Sequence, residues 1–129
     1  MQTKVISNIT LDISGKKRDY IVIKAKQGDK STRFIRATIV NGKEQVAFQD
    51  GERVQLNCKR ADNIKRTFDG NVEADGKVLF EIPSWALELP YSVSCDVSII
   101  DTNNLKITTA TFYIEVVAAA VSEFDTSED

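Results

Sequence analysis

Between residues 91 and 101 the chain reads YSVSCDVSIID, and its apolar side chains fall on every second position, at Val93, Cys95, Val97 and Ile99, with Ser94, Asp96 and Ser98 between them. Successive side chains alternate faces in an extended strand, so this spacing predicts a strand with one buried and one solvated face. Such a face must be covered by a second layer, and the rest of the chain supplies more strands for that purpose. Residues 53–60 place Val54, Leu56 and Cys58 on one side and Gln55, Asn57 and Lys59 on the other. Residues 32–40 set Ile35, Ala37 and Ile39 against Phe34, Arg36, Thr38 and Val40. Residues 8–13, NITLDI, put Ile9, Leu11 and Ile13 on one face, and the β-branched run at residues 20–24 reads as a second piece of the same edge.

Turn chemistry separates these segments. Asn41-Gly42 and Asp75-Gly76 are hairpin signals, the second dividing residues 71–82 into two strand pieces, and Thr102-Asn103-Asn104 follows the most regular strand. Leu105 and Ile107 are apolar at odd positions, whereas Ala110, Phe112, Ile114 and Val116 are apolar at even ones. Alternation is strict along a strand, so this change of phase requires a bulge near Thr108-Thr109. Only SWALEL, residues 84–89, reads as helical, and after Pro83 it has room for one or two turns. The expectation is an all-β, antiparallel β-sandwich with a short helical turn in one crossover. It forms one domain over residues 1–117, and residues 118–129 form an acidic tail or the start of a linker.

Composition narrows the chemistry. The 129 residues include no histidine, which removes the commonest general base and transition-metal ligand and excludes His-dependent serine and cysteine triads. A net charge of −2 gives no electrostatic reason to expect nucleic acid or an anionic membrane as partner. No stretch approaches the roughly 20 apolar residues that span a bilayer, and the N-terminus lacks a signal-peptide core, so the chain reads as made in the cytoplasm. In that compartment Cys58 and Cys95 read as small buried hydrophobes, with a disulfide as the alternative.

Several clusters fail on inspection. Asp69, Asn71 and Asp75 have the early spacing of a calcium loop, but Ala74 and Phe80 occupy the positions that need glycine and a bidentate glutamate. Lys16-Lys17-Arg18 lacks a phosphate-cradling glycine loop and reads as a solvated turn. The carboxylate pairs Glu81 with Glu88 and Glu73 with Asp75 include strand positions expected to face solvent. No catalytic residue, cofactor site or metal site is expected. Trp85, beside Leu87 and Leu89, reads as a plug over the open end of the sandwich. The alternative makes Trp85 and Tyr91 the stacking groups of a carbohydrate-binding or adhesion module. Phe34, Arg36 and Val40 point away from the core in this phasing, and with Val117, Val121 and Phe124 of the C-terminal segment they are the expected interface residues.

Read in order, the chain gives NITLDI, KQGDKSTRFIRATIVNGK, VAFQDGERVQLNCKRADN, ADGKVLFEIPSWAL and a closing pair of strands ending in TTATFYIEV. This order resembles the N-terminal immunoglobulin-like domain of upper baseplate proteins from phages and prophages of Gram-positive bacteria. The resemblance spans roughly residues 9–116 and rests on the order of weak motifs, with Arg60-Ala61-Asp62-Asn63 standing where the family carries a K-P-D-G-like turn. It implies an immunoglobulin-like sandwich with no catalytic residues, a structural protein of the virion tail assembled in the host cytoplasm. Its implied partners are other tail and baseplate proteins, with the domain forming a homo-oligomer in the particle and helping to connect receptor-binding proteins to the tail.

Overall fold

The computed structural model describes residues 3–16 and 20–121. In chain order its strands are β1 (Val5–Asp12), β2 (Val22–Lys26), β3 (Arg33–Asn41), β4 (Glu44–Gln45), β5 (Arg53–Lys59) and β6 (Lys65–Asp69). They continue as β7 (Asn71–Val72), β8 (Val78–Glu81), β9 (Tyr91–Ile100), β10 (Lys106–Thr108) and β11 (Phe112–Val117), with a single 3-10 turn at Ser84–Leu87 between β8 and β9. One sheet has the order β1-β3-β8-β7 with β4 beside β3; the other has the order β2-β11-β9-β5-β6 with β10 beside β9. The expected immunoglobulin-like sandwich is present, with the short turn in the expected crossover.

Pairing among the described strands is antiparallel except at two edges, where β1 runs parallel to β3 and β2 parallel to β11. The sheets are therefore mixed. The cause is visible in the chain path: β1 lies in the first sheet, β2 in the second and β3 back in the first. Crossing the sandwich twice provides the long connection that a parallel neighbour needs. Residues 20–24, expected as a second piece of the edge formed by residues 8–13, instead begin the edge of the opposite sheet.

The inward rows are those the alternation predicts. Leu11, Ile35, Ala37, Ile39, Val78 and Phe80 from the first sheet meet Ile23, Val54, Leu56, Val93, Val97, Phe112 and Ile114 from the second, all buried. Cys58 and Cys95 are free thiols within this core, opposite each other on β5 and β9. Each fully buried aliphatic or aromatic side chain here contributes about 1.5–3 kcal/mol of apolar transfer energy, which makes the two facing rows the main source of stability.

The phase change near Thr108-Thr109 is a bulge. Thr109 exchanges bonds with Val97, its N–H donating to the Val97 carbonyl at 2.9 Å while its Oγ1 accepts from the Val97 N–H at 3.1 Å. Phe112 then pairs with Cys95. Three steps along one chain thus face two steps along β9, and the extra residue flips the alternation. Two strands had no periodic signal. β6 (KRTFD) is an exposed edge with Phe68 as its only strongly apolar residue, and β4 is two exposed residues after the Asn41-Gly42 turn.

Candidate docking surface

The outward row of β3 carries Phe34, Arg36 and Thr38, flanked in register by Ile6, Asn8 and Thr10 of β1, with Glu81 and Leu79 of β8 on the other side of Phe34 and Arg36. Phe34 is half-buried, and the Lys4 ammonium lies 5.2 Å from its ring centroid. The Arg36 guanidinium donates to both carboxylate oxygens of Glu73, at 2.7 and 3.2 Å. That hydrogen bond raises the Arg36 pKa; burial opposes it, and the negative charges of Glu73 and then Asp75 add to the rise. A hollow of about 420 Å³ lies here between Asn8, Arg36, Glu73, Asp75 and Lys77. The face thus combines exposed apolar area at Ile6 with a fixed ion pair.

Val40 does not belong to it. Although in phase with Phe34 and Arg36, Val40 is 8% exposed. It is flanked by Asp12 of β1 and Gln45 of β4, and the chain stays bound to it past the end of β1 through the Ile13 N–H and the Val40 carbonyl. Alternation identifies the face a residue points to, but not how far neighbouring segments extend over that face. Val117 (40% exposed) and Val121 (81% exposed) lie at and beyond the end of β11, in the second sheet, so they do not join the Phe34 row. Phe124 lies outside the described residues.

The two aromatic residues considered for sugar stacking do not form one platform. Trp85 is 7% exposed and tilted against Phe68, with the Arg60 and Arg66 guanidinium carbons 4.7 and 5.2 Å from its ring. Its Nε1–H has no hydrogen-bond partner among the described residues. Arg60 holds this closure together. It bonds Asp62 and Glu88, both at 2.6 Å, and donates to the Trp85 carbonyl at 3.0 Å, linking the residue 60–63 turn to the crossover. Hydrogen bonding to Arg60 lowers the Asp62 pKa, and hydrogen bonding to Asp62 is the main cause of the raised Arg60 pKa. Tyr91 is 74% exposed and starts β9 at a φ of 84°, an unusual conformation for a bulky residue.

The Cys95 thiol has little nucleophilic character, and Cys58 lies against it. Their sulfurs are 3.8 Å apart, and the Cys95 pKa is pushed well up by the hydrogen bond to Cys58 and by burial, which keeps the thiol protonated. A hollow of about 330 Å³ opens beside them, lined by Asn57, Lys59, Thr67, Ser94 and Asp96. Asn57 is committed within it, donating to Asp96 and Ser98 and accepting from Thr67. Among the described residues no three acidic, cysteine or histidine side chains converge as a metal site.

Sequence reasoning passed over other exposed features. Tyr20, 73% exposed, stacks on Tyr113 with centroids 4.8 Å apart. Leu105 and Ile107, 69% and 44% exposed, border a hollow of about 180 Å³. Tyr20 precedes its strand and its stacking partner is 93 residues away in the chain, so no local pattern marks the pair.

The BppU N-terminal domain family matches residues 5–129, nearly the whole chain. Among solved structures, the N-terminal domain of phage TP901-1 ORF48 is similar at a TM-score of 0.71 and 16% identity, covering 87% of this chain and 98% of that one. At that identity the likeness speaks for the fold. No curated protein matches the chain. The family match over residues 5–129, on a sandwich that superposes on a phage domain, shows that this chain belongs to the BppU N-terminal domain family, the N-terminal domain of a baseplate upper protein and a structural component of the phage baseplate.

Proposed function

We propose that this domain works by surface contact, docking onto other baseplate proteins and helping to connect receptor-binding proteins to the tail. The observation that carries the reading is the family match across residues 5–129. The geometry agrees with it: the core is filled by the two facing rows, while Ile6 stands exposed beside a half-buried Phe34 and the Arg36–Glu73 pair. An apolar centre with a polar rim is the usual anatomy of a protein–protein contact. In this reading the sandwich domain spans residues 1–117 and residues 118–129 are an acidic tail or the start of a linker, with Val117 and Val121 available for contact. The protein resides in the virion tail after assembly in the host cytoplasm. Several copies are present, because baseplates are symmetric. No cofactor, catalytic step, nucleic acid or membrane takes part.

The test is co-purification of the full-length protein with the other tail proteins of its phage, with stoichiometry measured by light scattering. A defined complex is expected, weakened by Phe34→Asp. Absence of any complex with any of those proteins would sink the docking role.

A further inference from the structure

β1 is the outer strand of the first sheet, and its free edge differs chemically from the other long edges. Pairing with β3 is parallel, and the flanking bonds from the Val5 N–H to the Thr32 carbonyl and from the Ile13 N–H to the Val40 carbonyl show that odd residues turn their backbone towards β3. The N–H and C=O groups of Ile6, Asn8 and Thr10 therefore point outward, and no backbone partner meets them among the described residues. At the next even position the row closes, because the Asp12 carbonyl accepts from the Ala110 N–H at 3.0 Å. An open row of this kind is a template for another strand, and proteins usually block it with charge, proline or brevity. β2 carries Lys24 and Lys26, β6 carries Lys65, Arg66 and Asp69, and β7 is two residues long. From Val5 to Leu11, β1 has no charge and no proline, and the side chains of Ile6, Asn8 and Thr10 are exposed.

We propose that this edge pairs with the same edge of a second copy of the chain, antiparallel and about a twofold axis at Asn8. The proposal rests on the reading that several copies of the domain work together in the baseplate. In this register Asn8 faces its own symmetry mate and Ile6 faces Thr10 of the other copy, so each of the three residues exchanges both backbone bonds with its opposite number. Such an isologous contact requires a surface complementary to itself. Charge satisfies that requirement here. The edge carries no charged side chain from Val5 to Leu11, so the two copies bring no like charges together along it, and Arg36, one strand in from Asn8, is already paired with Glu73 at 2.7 Å. The same operation on β2 would bring lysines of the two copies together.

The test uses sedimentation equilibrium on the 129-residue chain up to about millimolar concentration, the range of effective concentrations within an assembly. Wild type is expected to dimerise reversibly, with slowed amide exchange at Ile6, Asn8 and Thr10. Asn8→Asp and Asn8→Lys each oppose like charges across the axis and should weaken the dimer about tenfold or more. Mixing the two variants should restore it, because the opposed charges then differ in sign. Circular dichroism checks that both variants keep the fold, since the side chain is exposed. A wild type that stays monomeric throughout, variants that dimerise as wild type does, or a mixture no better than either variant alone would overturn the proposal. A monomer that still binds other tail proteins would refute this pairing and leave the docking role standing.

Discussion

At the scale of single residues, Gly70 and Arg60 show how closely the loops are fitted to the core. Gly70 joins β6 in the second sheet to β7 in the first, and its N–H donates to the Val54 carbonyl. A Cβ at this position would lie 2.2 Å from the Phe80 ring, which is itself 1% exposed. Gly70→Ala should therefore cost about 1–3 kcal/mol in chemical denaturation, and less when Phe80→Leu is also present. Equal costs in the two backgrounds would exclude the clash. Arg60 makes a pH-dependent contribution through Asp62, whose folded pKa is lowered by their hydrogen bond. A lowered carboxylate pKa adds stability above the unfolded value of about 3.9, and that stability is lost as pH falls through the folded value. Urea titrations from about pH 5 downward should thus show a steeper loss for wild type than for Arg60→Gln, with the curves parallel at neutral pH.

Among the elements, the bulge between β10 and β11 is the one irregularity the alternation required, and the structure shows what holds it. Thr109, 6% exposed, substitutes its hydroxyl for a missing ladder acceptor on Val97 and donates to the Ala110 carbonyl at 3.0 Å. Ala110 in turn donates to the end of β1. Thr109→Val keeps the shape but leaves the buried Val97 N–H unpaired, a loss of about 1–3 kcal/mol, whereas Thr109→Ser should stay close to wild type. Thermal unfolding of the two variants separates hydrogen bonding from packing. β6 illustrates the opposite case: an edge strand needs no buried row, so its residues carry little periodicity, and the pairing with β5 became visible only in three dimensions.

For the whole molecule, closure of the sandwich beside the crossover is the feature most easily measured, because Trp85 is the only tryptophan. With Arg60 and Arg66 over its ring, its fluorescence should resist acrylamide quenching until global unfolding, and ready quenching of the native protein would contradict a buried indole. The sequence by itself determined the inward rows, the two Asn-Gly and Asp-Gly turns, the bulge and the short helical turn. These depend on near-neighbour periodicity and on glycine's access to positive φ, both written locally in the chain. Only the tertiary structure decided that β1 and β2 lie in opposite sheets, that β6 exists, that Val40 is covered, and that Tyr20 meets Tyr113. Each of these depends on which distant segment arrives beside a residue, and alternation carries no information about that. The same limit applies to the docking face: the pattern pointed Phe34 and Arg36 outward, but the open edge of β1 beside them exists because the chain crossed to the other sheet and left that edge unpaired.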